Sequence, residues 1–275
     1  MKKKLSTILL LLIFFIGLSL LLYPSFSDYW NSFHQSRAIA SYTEAVADMQ
    51  DDTYERMLRE ADTFNDLIRE KADQWVISDE ETTLYNETLD VSGTGIMGYI
   101  KIPSIDVALP IYHSTDEGVL QVGVGHVEGT SLPVGGAGTH SVLSGHRGLP
   151  SARLFTDIDK LVVGDLFIIQ ILDETLTYEV DQILIVLPYE LDALAIEEGK
   201  DLCTLVTCTP YGVNSHRLLV RGHRVENPEE EKAVRVTADA VQIEPVIVAP
   251  LVAVPILLIL LISLLVSTRK KRRNS

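Results

Sequence analysis

Two apolar runs, one near each end and each flanked on its outer side by basic residues, constrain this chain more than any other feature. Residues 5–22 follow Lys2, Lys3 and Lys4, and residues 246–266 precede Arg269, Lys270, Lys271, Arg272 and Arg273. Runs of 18 and 21 residues can each cross a hydrocarbon core of about 30 Å as a helix. Pro250 and Pro255 do not exclude the second span, because transmembrane helices tolerate proline. Basic residues are retained on the cytoplasmic side, so both termini are expected inside and residues 23–245 outside. A cleaved signal peptide is the alternative at the N-terminus, but Ser25-Phe-Ser27 makes a weak cleavage site and the apolar run is long.

The chain must therefore fold between two anchors, outside the cell. Without the eight basic residues of the terminal clusters, its formal charge moves from −15 to −23. Such an acidic domain repels nucleic acid and anionic lipid surfaces. Both cysteines, Cys203 and Cys208, lie in it. Five residues apart, they fall on opposite faces of a strand, poor geometry for a mutual disulfide. An exported domain without a disulfide framework relies on its core, and a lone thiol there points to chemistry.

Apolar residues at spacings of three and four (Ile39, Tyr42, Val46, Met49, then Tyr54, Met57, Ala61, Phe64, Ile68, Ala72) predict two amphipathic helices within 23–72, with N-cap candidates for the second at Asp51-Asp52-Thr53. Residues 73–95 lose that period, gain acids and turn formers, and read as a long loop of the kind that forms lids. Trp75 in this acidic loop calls for an apolar surface to cover. Residues 96–225 change to short β-like runs at 98–102, 107–111, 141–144, 165–171, 175–180, 183–187, 202–208 and 216–225, with brief helical candidates at 152–161 and 191–198. That pattern predicts a mainly β barrel or sandwich. Residues 226–245 read as a solvated linker, followed by the span at 246–266 and a basic tail at 267–275.

The chemistry centres on Thr204-Leu-Val-Thr-Cys208 and on Arg217, nine residues further on. Thr204, Val206 and Cys208 share one face of a strand, and the turn signal Pro210-Tyr-Gly212 brings a second strand back with Arg217 beside the thiol. A neighbouring cation favours thiolate, and an arginine keeps its charge. The same spacing also fits a small buried residue before a hairpin, with Arg217 a solvated edge charge. His146 sits between Gly145 and Gly148, which leave room for close approach and suit proton transfer; His126 and His140 also flank glycine-rich turns. A metal site built from His126, His140, His146 and Cys208 lacks any HxxxH, HExxH or CxxC spacing. His216 reads as structural, and His113 and His223 have no distinguishing context.

Thr204-Leu-Val-Thr-Cys208 with Arg217, and Ser144-Gly-His-Arg147 upstream, closely resemble the sortase signature. The runs SGHRGLPSARLF and TLVTCTPYGVNSHRLLVRG, the N-terminal helices and the C-terminal span are similar to its class C, pilin-polymerising branch. The resemblance implies a closed eight-stranded β-barrel at the membrane of a Gram-positive bacterium. It implies a cysteine transpeptidase in which Cys208 is the nucleophile, His146 the acid and base, and Arg217 the oxyanion stabiliser, with no cofactor and no metal. The implied partners are pilin subunits carrying C-terminal LPxTG-like sorting signals and the acceptor lysine of the next pilin. By the same resemblance 73–95 is a lid, with Asp73 paired to Arg217 and Trp75 over Cys208, although Gln74 stands where the family's lid motif has proline. The chain's own Leu132-Pro-Val-Gly-Gly136 has no apolar tail directly behind it and reads as a turn. A housekeeping sortase, a thiol peptidase and a non-enzymatic pilus scaffold are the rival readings.

Overall fold

The helical pattern upstream of the β region yields a first helix longer than its amphipathic part. Helix α1 runs unbroken over Lys2–Ala47, through Pro24, so the first apolar run and the first amphipathic stripe are one element. This computed structural model describes residues 2–227 and residue 255; the linker beyond Asn227, the second apolar run apart from Pro255 and the basic tail lie outside the described residues. The chain divides into two units, one of which comprises residues 30–231 and holds the barrel. Over Ile8–Ala47, α1 is long and apolar enough to cross a membrane.

Within residues 30–231, α1 is fastened to the barrel by polar groups on one face. Asn31 and Gln35 donate to the carbonyls of Ser151 and Val122. The Tyr42 hydroxyl donates to Met97 O at 2.9 Å and accepts from Leu172 N at 2.6 Å. Helix α2, Asp51–Glu70, takes Asp51 and Asp52 into its first turn and has Gln50 as its N-cap, so those acids complement the helix dipole instead of capping it. Its surface pairs Arg56–Glu60 and Arg59–Glu55 contribute only about 0.3–0.5 kcal/mol each. Burial of Ala61, Phe64 and Ile68 outweighs them, at roughly 1.5–3 kcal/mol for each large side chain.

The stretch expected to be one loop contains helix α3, Asp79–Glu87. Its start is a capping box: Ser78 Oγ accepts from Glu81 N, and the Glu81 carboxylate accepts from Ser78 N. The acids that hid its period are first-turn residues. Tyr85 on its inner side is buried and donates toward His126 O at 3.2 Å.

Eight strands follow: β1 Ile96–Ile102, β2 Val107–Tyr112, β3 Val124–His126, β4 Thr139–Ser144, β5 Leu166–Ile171, β6 Glu174–Val186, β7 Asp201–Thr209 and β8 His216–Val225. They close in the order β1-β2-β3-β4-β7-β8-β6-β5. The expected number is right, but two strands differ from the reading. The runs at 175–180 and 183–187 are one strand whose register shifts between Val180 and Gln182, a bulge that reverses the alternation halfway along. The three-residue β3 was too short to leave a pattern. The helical candidates at 152–161 and 191–198 hold only 3-10 turns, Ile158–Lys160 and Asp192–Leu194. The Leu132–Gly136 segment is a turn, with Asn65 bonding both the N–H and the carbonyl of Leu132.

Candidate active site

Three neighbouring strands, β4, β7 and β8, bring the candidate residues into one row. In the antiparallel pair β7–β8, Cys208 lies directly opposite Arg217, so their side chains share a face. The pair β4–β7 is parallel and runs in register from Thr139 opposite Asp201 to Ser144 opposite Val206. The pairing ends there, and carrying the same register two steps further would bring His146 level with Cys208. Two bonds carry the ladder past the last paired residue: Gly145 N donates to Val206 O at 3.0 Å, and Thr207 Oγ1 donates to Gly145 O at 2.7 Å. A side chain at Gly145 would meet the Phe155 ring at 2.7 Å, so glycine lets the chain lie flat there.

Cys208 is half-buried, whereas Cys203, on the opposite face of β7, is sealed among Leu205, Leu218 and Val220. Burial, and then the nearby Asp201 charge, push the Cys203 thiol well above its ordinary pKa. His146 Nε2 is buried without a hydrogen-bond partner among the described residues, and Glu117 Oε2 stands 3.7 Å away. Glu117 opens the short helix α4, Glu117–Leu120, and nothing in the sequence ties it to His146 across 29 positions. Arg217 donates to the carbonyls of Asn214 at 3.3 Å and His216 at 3.2 Å, which aim its guanidinium along the turn. Arg147 bonds Thr209 Oγ1 and pairs with Asp159, and the Tyr211 ring lies 2.6 Å from where a side chain on Gly148 would begin. These contacts bind the loop after His146 to the loop after Cys208.

The face that carries Cys208 also carries an apolar cluster. Val142, Leu194, Val206 and Leu219 are buried there, with Leu184, Val186, Leu191 and Trp75 packed against them. Val206 and Leu219 lie two residues from Cys208 and Arg217 on the same face, and Trp75 packs against the cluster to which they belong. The expected Asp73–Arg217 pair does not form among the described residues. Asp73 Oδ1 instead accepts from Trp75 N at 3.0 Å and folds the turn that presents the ring. Gln74 Nε2 donates to Gly129 O at 3.2 Å and holds the segment down where proline could not. Lys71 binds both carboxylate oxygens of Glu81, at 2.9 and 2.7 Å, closing the base of the 71–81 segment. A cleft of about 550 Å³ lies between this segment, Trp75 included, and Ala195, Ile196 and Glu198.

His126 and His140 are not ligands in waiting, since each has both ring nitrogens engaged. Burial lowers the pKa of both, that of His126 to about 4. No cluster of three metal-ligating side chains occurs among the described residues. The arrangement offers a half-buried thiol, an imidazole nitrogen without a hydrogen-bond partner among the described residues and a cation held by two carbonyls. That set suits acyl transfer through a covalent intermediate.

Comparison with known proteins agrees with this geometry. The sortase domain model matches residues 100–225. Sortase A from Bacillus anthracis is 30% identical over 224 residues, 82% of this chain and 96% of the relative. The crystal structure of sortase C1 from Streptococcus agalactiae is 54% identical, covers 70% of this chain and 99% of its own, and superposes with a TM-score of 0.68. The sortase C structure from Streptococcus pneumoniae is 41% identical over 70% of this chain and 97% of its own, with a TM-score of 0.62.

Proposed function

Because this chain belongs to the sortase family of transpeptidases and its structural neighbours are class C enzymes, we propose that it polymerises pilins. The mechanism rests on Cys208 standing opposite Arg217 in the β7–β8 pair, with His146 two residues beyond the last β4–β7 pair. Cys208 Sγ attacks the threonine carbonyl of an LPxTG-like sorting signal. Arg217 stabilises the negative charge that develops on that oxygen. His146 gives a proton to the leaving glycine amine, and a thioester joins the threonine to Cys208. The acceptor lysine amine then loses a proton to His146 and attacks the thioester, releasing Cys208 and forming an amide. The groove of Val142, Val206 and Leu219 holds the leucine and proline of the signal. Trp75, held by Asp73 and Gln74, is the lid that occupies this groove until a substrate displaces it.

Three supports favour pilins over wall precursors as acceptors. The identity to the class C structures exceeds that to the sortase A relative. The pneumococcal neighbour is a sortase whose structure bears on pilin substrate specificity. Trp75, in the 73–95 segment expected to be a lid, packs against the Val142, Val206 and Leu219 cluster. The enzyme acts at the membrane of a Gram-positive bacterium, with α1 as an anchor, the barrel outside and both termini in the cytoplasm. Incubation with a sorting-signal peptide and two amines, a lysine-bearing pilin domain and a pentaglycine peptide, tests the reading. An isopeptide to lysine is expected; transfer to pentaglycine alone identifies a wall-anchoring enzyme, and hydrolysis with both amines present a peptidase.

A further inference from the structure

The loop between β6 and β7, residues 187–200, is tied to the barrel by a histidine that the proposed chemistry does not use. His140 is fully buried on β4. Its Nδ1 lies 2.8 Å from Ala195 O, and its Nε2 lies 2.7 Å from Thr204 Oγ1. A carbonyl only accepts, so Nδ1 carries the proton and donates; Nε2 of the neutral ring is then an acceptor, and the Thr204 hydroxyl donates to it. Burial favours that neutral ring. A line of hydrogen bonds therefore runs from Thr204 through His140 to Ala195.

Ala195 closes the 3-10 turn Asp192–Leu194. Leu194 of that turn is buried against Val142, Val206 and Leu219, and Leu191 and Ala193 pack beside it. The loop thus supplies one wall of the groove that leads to Cys208. A second tether, Arg221 to Glu197 at 2.9 Å, ends on a carboxylate whose side chain is 40% exposed and is open to screening by water and salt. The His140 tether is shielded, and breaking it leaves buried polar groups unpaired. Thr204 and Cys208 share one face of β7, so the strand that presents the thiol also presents, four residues earlier, the hydroxyl that orients His140.

We propose that His140, oriented by Thr204, is a positioning residue that fixes the wall formed by Leu191, Ala193 and Leu194 and so sets the affinity for the donor peptide, leaving the chemistry at Cys208 unaltered. The inference rests on reading the groove as the sorting-peptide site. It separates two jobs within one motif: Cys208 makes the bond, and Thr204 holds the wall through His140.

The test uses the full chain in detergent micelles, a fluorogenic peptide containing Leu-Pro-Glu-Thr-Gly, and hydroxylamine as acceptor. His140→Ala and Thr204→Val are each expected to raise KM about tenfold, a change of ~1.4 kcal/mol, while kcat stays within about threefold. His140→Asn, whose amide can donate to Ala195 O, is expected to recover most of the lost affinity. The double variant His140→Ala with Thr204→Val should be no worse than His140→Ala alone, because both lie on one line of bonds. Alkylation of Cys208 by iodoacetamide should be unchanged, and amide exchange across residues 192–198 should speed up. Should His140→Ala fail to fold, the nearly isosteric Thr204→Val carries the same readouts. An unchanged KM, a fall in kcat alone, or unchanged amide exchange overturns the proposal. A wild-type chain that cleaves no peptide while the variants still loosen the loop overturns the groove reading and the affinity claim with it, and upholds the tether.

Discussion

Strand β7 carries two cysteines five residues apart, and the strand's two faces treat them differently. Cys203 is wholly enclosed by the barrel and kept a neutral thiol by burial; Cys208 is half-buried at the strand's end, opposite Arg217. Two of the histidines divide the same way. His126 is enclosed, with Nε2 2.9 Å from Ser131 O and Nδ1 3.1 Å from the Tyr85 hydroxyl; His146 lies at the open end with an unpartnered Nε2. The barrel thus holds one thiol and one imidazole as uncharged packing, and leaves another of each only partly buried. Residue type does not distinguish a reactive group from an inert one here; the face and the distance from the strand's end do.

The contrast breaks first at Cys208. Cys208→Ala is expected to lower peptide turnover by about 10⁴-fold or more with an unchanged melting temperature, whereas Cys203→Ala keeps turnover within a fewfold. Comparable losses in both variants would erase the distinction between the faces.

Acid titration sharpens it at the histidines. The unfolded chain protonates His126 near pH 6.5, but the folded one resists until about pH 4. That contribution is complete above pH 6.5 and is lost as the pH falls toward 4, by up to ~3 kcal/mol. Urea unfolding of the wild type and His126→Gln across this range measures it, and equal pH slopes in the two would refute it.

Cys203 gives the mirror image at alkaline pH. Its thiol is raised in the fold, so its contribution is complete below the unfolded value of ~8.5 and is lost as the pH rises, by about 1.4 kcal/mol per pH unit. Stability curves of Cys203→Ala should lack that slope. The smallest effect concerns the cover over the open end. Trp75→Ala is expected to speed iodoacetamide labelling of Cys208 by roughly tenfold, ~1.4 kcal/mol of closure, without exposing Cys203. An unchanged rate would remove Trp75 from any role as a lid.

Much of this was legible along the chain, for reasons that differ by element. Strand β8 and the Cys208–Arg217 pairing follow from an apolar run at Leu218–Val220 and a clear turn before it. The face of α2 followed from the three-and-four spacing that ends in Phe64 and Ile68. β6 divided in two on paper because the bulge at Asp181 reverses the parity on which strand reading depends. Helix α3 was passed over because its acids masked the period, although Ser78 and Glu81 had the spacing of a capping box. Glu117 beside His146, His140 under Ala195 and Asn65 on Leu132 could not be read at all, since they join residues 29, 55 and 67 positions apart through the closed barrel. Asp73 turned inward to Trp75 because a carboxylate two residues before an N–H can close its own turn locally.

The parallel pairing of β4 with β7 has a consequence for the life of the enzyme in the cell. His146 and Cys208 become neighbours only when the chain has travelled out through β5 and β6 and back, a closure of 62 residues. Contacts of such wide sequence separation form late, after the entropy of a long loop has been overcome. Until then the thiol can have Arg217 beside it, nine residues on in the same hairpin, but not His146. The proposed site is therefore incomplete until the barrel has closed.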